Sequence, residues 1–516
     1  MKAPVQLVWF KRDLRLADHA PLCEAAARGP ILGLYVYEPD LLATPEFTAA
    51  HLVFINQALA EVTAQLERSG ATLITRRGDM TEVLGHLHRQ TGLGAIWSHE
   101  ETGNDVTYRR DRRVAAWCRE QGLPWHEFRQ DGVVRRLSSR DGWSRRWQQH
   151  MAQPLRIAPD HLPGAPAPES VGLLGPEVLG LGPSDKPNAQ RGGQSEARRT
   201  LASFLTERGL HYRSAMSSPV EGWDACSRLS PYLAWGCLSV RSAAQAAEQR
   251  RAELRQTPGL DRRWLGSLQS FASRLRWHCH FMQKLEDEPG IEFKNFVRAY
   301  DGLREEFSAS PEGRMRLEAW CAGATGYPMV DACLRCVRAT GWLNFRMRAM
   351  VASFAAYHLW LHWREPAVWL ASHFLDFEPG IHFSQFQMQS GTSGINTIRI
   401  YSPAKQAAEQ DPHGQFIRRW VPELAGVPDI WLPTPEKMPS DLQRRTGCII
   451  GNDYPAPLVD HTNAVREARA HLATVRRRDS TRQEARRVFL RHGSRKRPPV
   501  RSASRAPRQL VLPGLG

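Results

Sequence analysis

The densest chemistry in this 516-residue chain lies between His373 and Leu424, in HFLDFEPGIHFSQFQMQSGTSGINTIRIYSPAKQAAEQDPHGQFIRRWVPEL. Aromatic, acidic and Gln, Ser and Gly residues follow one another there with no amphipathic period; folding alone does not explain them, and a run of this kind lines a site. A second stretch, SRLSPYLAWG from Ser227 to Gly236, sets a Ser-rich turn ahead of Pro231. Proline suits the first turn of a helix, where its missing N–H would be unbonded anyway. The hydroxyls and free amides of such an end serve either an anionic group or ordinary capping by Ser230. Cys333 and Cys336 stand three apart but lack the second pair or the histidines that zinc needs, so they read as packing and no metal is expected.

Taken in order, LVWFKRDLRLADHAPL (Leu7–Leu22), SRLSPYLAWG, TGYPMVDACLR (Thr325–Arg335) and the 373–424 run resemble the DNA photolyase and cryptochrome family, from about residue 5 to about residue 450. The resemblance implies FAD as cofactor. It maps Cys226, Ser227, Arg228, Leu229 and Ser230 onto the segment that holds the pyrophosphate, with Tyr212 and Phe271 as further FAD contacts. Cys226 departs from the usual Thr or Ser, which removes one hydroxyl but not the backbone contacts. Arg348 and Asp376 map beside the isoalloxazine, with Phe377 and Glu378 completing an acidic turn. A reduced, anionic flavin needs a nearby cation and ordered dipoles; the same two residues would equally make a salt bridge between helices. His382 aligns where the family has a small polar group facing the reactive ring nitrogen. An imidazole there could hand over a proton, whereas without the resemblance it reads as a satisfied core histidine.

The departures are informative. Where the best-known photolyases bond the damaged bases through a Glu, RLRWHCHF has Arg274, and it keeps Trp277; an Asn and a Trp become Phe345 and Met388, while Arg346 stays. These five residues remain able to stack on flipped-out bases and hold phosphates. The implied activity is that of a deoxyribodipyrimidine photolyase: light-driven repair of pyrimidine dimers in ultraviolet-damaged DNA, by electron transfer from excited reduced FAD. The rewritten pocket equally suits a cryptochrome-like blue-light sensor. Of the family's three relay tryptophans only Trp363 is matched, with Phe386 in the flavin-proximal place and the region of Phe307 in the surface place. Trp360, Trp342, Trp369 and Trp320 offer another route or are simply core. An antenna pigment of folate or deazaflavin type is also typical, and His99, Glu100, Glu101 and Asn104 follow the fourth strand, where a parallel sheet presents its crevice.

The elements that must hold these residues follow from periodicity. Short apolar runs at 5–10, 31–37, 72–76 and 95–98 alternate with helical spacing and predict an α/β domain of Rossmann type over 1–130. Residues 131–198, rich in Pro and Gly, read as a linker; long amphipathic stretches over 199–450 predict a helical FAD-binding domain; 451–516 reads as a basic, largely disordered tail. The expected class is therefore α/β plus all-α. No apolar run approaches the ~20 residues of a membrane span, and nine unpaired cysteines with no leader ahead of the first strand indicate a cytoplasmic protein. Of the net charge of +16, +12 falls between Arg466 and Gly516, which favours polyanions. Seventeen tryptophans are an excess that large helical cores or electron transfer would absorb. Gln509 to Leu515 resembles the short Gln-Leu-x-Leu peptides that dock on bacterial sliding clamps.

Overall fold

The computed structural model describes residues 3–495 apart from 258 and 260. Five parallel strands, β1 (Val5–Trp9), β2 (Ile31–Tyr37), β3 (Thr72–Arg77), β4 (Leu93–His99) and β5 (Trp125–Phe128), form a sheet in the order β3-β2-β1-β4-β5. Leu7 pairs with Leu32 on one side and Ile96 on the other. All five residues of β1 are buried, as expected of a central parallel strand covered on both faces. The strand order reverses between β1 and β4, and the loops after these strands open a crevice at their carboxyl ends. β5, with sequence WHEF, has no β-branched residue and no alternation. It is legible only through its pairing with β4.

Helices α1 (Ala49–Arg68) and α2 (Asp105–Glu120) flank the sheet, and α3 (Trp143–Met151) follows it. α3 corrects the expectation of a bare linker over 131–198. Trp143, Trp147, His150 and Met151 are buried, and the Trp143 indole donates to Gln283 Oε1 at 3.1 Å. Further on, the Ile31 amide donates to the Pro163 carbonyl and the Thr75 hydroxyl to the Gly172 carbonyl, both at 2.6 Å. The segment is a strap whose partners belong to other elements, and so it carries no period of its own.

The second domain is helical. Its parts nearest the site are the short turn α4 (Ser230–Ala234), the 25-residue α5 (Arg263–Asp287), α6 (Phe345–Ser353) and α7 (Pro379–Ser390). α5 and α7 approach closely at Gly380, where a Cβ would meet the Met282 Cα at 2.8 Å. The domains meet at Gly236, with φ of +65° and space for a Cβ only 2.2 Å from the Arg12 carbonyl oxygen. Both the backbone conformation and the contact require glycine there.

A tail from residue 451 is likewise corrected. Two helices, α8 (His461–Arg476) and α9 (Asp479–His492), pack Ala468, Leu472, Val475 and Val488 against Leu285, Phe296, Val297, Tyr300 and Tyr357. Their apolar stripe is thin, and the arginines on the other face dominate the composition. Gln509 to Leu515 lies outside the described residues. Among the described residues no helix is long and apolar enough to cross a membrane.

Candidate flavin and DNA site

The segment before α4 is turned by its carbonyls. Arg208 donates Nη1 to the carbonyls of Asp224 at 2.6 Å and Cys226 at 2.8 Å, and Nη2 to that of Ser227 at 3.3 Å. Arg228 has φ of +58°, a conformation uncommon outside glycine. It is held by Gln190, whose Nε2 donates to its carbonyl at 2.9 Å, and its guanidinium lies 4.1 and 4.0 Å from the rings of Trp223 and Trp342. Ser230 does not cap α4, because Leu229 occupies the cap position and makes no side-chain hydrogen bond there. The Leu229 amide donates to Ser227 Oγ at 3.5 Å, and the hydroxyl protons of Ser227 and Ser230 have no acceptor among the described residues, which suits an acceptor-rich ligand.

Cationic groups surround this segment. Burial raises the Cys226 thiol to about 11, against the pull of Arg228, Arg208, Arg274 and Arg348, so it stays protonated. Burial lowers Arg228 to about 10, which leaves it charged at neutral pH. Tyr212 is buried, raised to about 12 by desolvation, and meets Phe204 edge-on at 5.5 Å. Phe271 on α5 is 4.9 Å from the same Phe204 ring.

At the other end, Arg348 Nη1 and Nη2 donate to the two carboxylate oxygens of Asp376 at 2.9 and 2.7 Å, and Nε donates to the Leu343 carbonyl at 2.8 Å. Three backbone carbonyls around Asp376 are fixed from outside the turn: Phe374 by His51 Nε2 at 2.8 Å, Leu375 by the Trp235 indole at 2.8 Å, and Phe377 by Arg12 Nη1 at 2.9 Å. The two domains thus set the carboxylate's direction together. Glu378 turns the other way, accepting from His278 Nε2 at 2.8 Å. Burial disfavours charge on His278, but Glu378 outweighs it and holds the imidazole well above its ordinary range. The acidic turn is therefore divided: Asp376 serves Arg348, and Glu378 serves His278.

His382 comes within electrostatic range of Arg348 and Asp376. Its Nε2 donates to the Ala367 carbonyl at 2.7 Å, and Phe377 and Phe386 lie 5.3 and 4.9 Å from its ring. Burial lowers it to about 4, so it is neutral across the physiological range. Trp363 is buried, donates to Asn295 Oδ1 at 2.8 Å and lies 6.2 Å from Phe383, which is 5.9 Å from Phe377. Other aromatic pairs are Trp320 with Trp369 at 5.3 Å and Trp223 with Trp342 at 5.5 Å.

One face of the site is open. Trp277 is 37% and Phe345 49% exposed, and the Arg274 guanidinium lies 5.7 Å from the Phe345 ring, joining α5 to α6. Arg346 and Met388 are half-buried nearby on α6 and α7. Asn344, which caps α6, donates Nδ2 to the carbonyls of Met216 and Ser217, while among the described residues its buried Oδ1 has no partner, and neither has Arg346 Nε. Orphaned polar atoms beside a cation-lined segment and a charge-paired arginine fit a large cofactor carrying phosphates and a polar ring.

Two cavities lie between the domains behind the acidic turn. One of 340 Å³ is lined by Arg12, Glu46, Glu101, Asn104 and Phe377 among others; one of 610 Å³ takes in Glu100, Glu101, Asp131, His278 and Glu378. His99 lines neither. It is buried and donates to Asp13 Oδ2 at 2.7 Å, as His19 does at 3.0 Å. Asp13, His19 and His99 form one of two groups of potential metal donors among the described residues, the other being Asp131, His278 and Cys279. In the first, the Leu22 amide also occupies His19 Nδ1. Arg208, Gln190, Arg12, His51 and His278 escaped the sequence reading; Arg12 and His278 lie within recognised segments, but the group each one fixes belongs to another element, which the local pattern does not reveal.

Residues 6–141 match the family model described as DNA photolyase, and residues 271–474 that described as the FAD binding domain of DNA photolyase. A cryptochrome DASH of Natronomonas pharaonis is 29% identical over 479 residues, covering 88% of this chain and 98% of its own. A deoxyribodipyrimidine photo-lyase of Agrobacterium fabrum is 28% identical over 499 residues, covering 92% and 98%. Among solved structures, a bacterial class III photolyase from Agrobacterium tumefaciens superposes with a TM-score of 0.79 at 26% identity, over 93% of this chain and 98% of that one.

Proposed function

The chain belongs to the DNA photolyase and cryptochrome family and carries its FAD-binding domain, and on that premise we propose that it repairs ultraviolet-induced pyrimidine dimers in DNA. Reduced FAD, when bound, supplies the photoexcited electron that splits a dimer and then returns. The chain's own residues bind, orient and exclude water. Ser227, Arg228 and Ser230 hold the pyrophosphate, with Tyr212 beside them. Arg348, fixed by Asp376, sets a positive charge at the ring, and neutral His382 offers hydrogen bonding without net charge.

The observation that carries the repair reading is the open face, where Trp277 and Phe345 leave large aromatic surfaces in solvent next to Arg274. Exposed aromatic faces beside cations suit flipped-out bases: stacking is worth about 1–3 kcal/mol per base, against a flipping cost of a few kcal/mol that is least for a damaged pair. Met388 and Arg346 complete the DNA contacts. The interdomain cavities are proposed for an antenna pigment held by Glu100, Glu101 and Asn104. Gln509 to Leu515 is proposed as a sliding-clamp peptide, and the setting as cytoplasmic.

A blue-light sensor is the second reading, favoured by the arginine at the place of the lesion-binding carboxylate and by Phe386 at the place of the family's flavin-proximal relay tryptophan. Illumination of the reduced protein with oligonucleotides carrying each lesion type separates the two. Restoration of intact pyrimidines supports repair; flavin photochemistry with no lesion turnover supports sensing.

A further inference from the structure

The α8–α9 hairpin carries charge that the fold does not use. Between His461 and His492 the sequence has nine arginines against three acids, and all nine arginines are exposed. Among the described residues only two of them pair with a carboxylate, Arg482 with Asp479 at 3.0 Å and Arg491 with Glu288 at 3.1 Å. Arg476, Arg477 and Arg478 follow one another through the turn between the helices. A surface serving only solubility would intersperse both signs; a one-sign face costs self-repulsion and is offset when a polyanion lies on it.

The hairpin is also joined to the open face of the site. Its end docks on the end of α5, where His492 Nε2 meets Glu288 at 2.8 Å and Arg491 donates to the Asp287 carbonyl. Trp277, His280 and Lys284 share one face of α5, at helical spacings of three and four. Lys284 is buried with its ammonium 4.7 Å from the Phe281 ring and 5.7 Å from Phe296; it makes no hydrogen bond or ion pair among the described residues. Arg140 donates to His280 beside it, and its Nη1 stands 3.6 Å from Asp287 Oδ2, an ion pair without a hydrogen bond. At this seam Asp287 and Glu288 are shared among Arg140, Arg491 and His492, while Lys284 has no carboxylate partner among the described residues.

We propose that the α8–α9 hairpin is a second nucleic-acid contact, holding the sugar–phosphate backbone of duplex that flanks the nucleotide received by Trp277 and Phe345. This deepens the repair reading and rests on it for the position of the lesion. At 1.5 Å per residue the far end of α5 lies about 15 Å from Trp277, and α9, docked there by its last turn, is about 20 Å long, so the hairpin lies within roughly 35 Å of Trp277. At 3.4 Å per base pair the docked end of the hairpin falls about 4 base pairs from the lesion, and the whole contact falls within about 10.

The test uses the full chain with bound FAD and the variant Arg476→Ala/Arg477→Ala/Arg478→Ala, whose side chains hold no other group among the described residues. On an undamaged duplex of about 30 base pairs, the slope of log K against log salt should fall by roughly 2 to 3, at about 0.9 per phosphate contact, with at least about a tenfold loss of affinity at 0.1 M salt. A lesion-bearing oligonucleotide of about five nucleotides, too short to reach the hairpin, should bind variant and parent alike. An unchanged slope on the long duplex overturns the assignment, as does an equal loss on the short oligonucleotide or tighter parental binding to phosphatidylserine vesicles than to duplex. If the parent shows no preference for damaged DNA while the slope still falls, the repair reading fails and the hairpin contact stands.

Discussion

Replacing Asp376 by Asn tests the ring end of the site most directly. The carboxylate takes two hydrogen bonds from Arg348, at 2.9 and 2.7 Å, and its side chain is 3% exposed against 26% for the arginine. An amide of the same shape can accept one of them; its NH2 then faces the second guanidinium N–H. Removing one member of a fully buried pair costs about 3–5 kcal/mol. Water reaches part of Arg348, so about 2–4 kcal/mol is expected here, the size of one or two lost hydrogen bonds to a charged group. If the pair orients Arg348 toward the flavin, that loss appears in binding as a rise in the FAD Kd of roughly 30- to 700-fold, at 1.4 kcal/mol per tenfold. Flavin fluorescence on titration of apoprotein gives the Kd, and unfolding of the apoprotein gives the change in stability. A variant whose apoprotein loses that stability yet binds FAD with the parental Kd would show that the pair only joins two helices. The double change with Arg348→Met then separates coupling from simple removal of charge.

Trp277→Ala should cost about 1–3 kcal/mol in binding damaged DNA while leaving the flavin spectrum unchanged, because it removes one stacking face at the rim of the site; equal binding by parent and variant refutes this. Trp363→Phe should slow flavin photoreduction under blue light with external reductant, and an unchanged rate would move attention to Trp360. Stability should fall as pH drops from 6.5 toward 4. Burial lowers His51 and His382 to about 4 from 6.5, so the unfolded chain takes up protons that the folded one refuses. Each such group contributes up to about 1.4 kcal/mol per pH unit across that window. His382→Gln should remove one share, and a stability curve of the parent that stays flat from pH 6.5 to about 4.5 contradicts the burial argument.

Local order in the chain determined much of this architecture before any coordinates. Four β-rich runs separated by helical spacing dictate a parallel α/β domain, because a strand covered on both faces must be continuously apolar. The motif around Ser227 to Gly236 and the run from His373 mark the proposed cofactor end, because residues that line a ligand cannot keep an amphipathic period. Other features became legible only when distant segments met. β5 has no intrinsic strand pattern, and the strap at 131–198 has no period of its own, since neighbours supply the order of both. The thin stripe of Ala468, Leu472 and Val475 becomes a helix face only against Tyr357 and Tyr300. The division of the acidic turn, with Asp376 toward Arg348 and Glu378 toward His278, was decided by tertiary structure alone. Arg12, His51 and Trp235 bind the carbonyls on either side of Asp376 from positions 140 to 365 residues away in sequence. A side chain's direction depends on where its backbone is pinned, and sequence spacing carries no information about hydrogen bonds made across such distances.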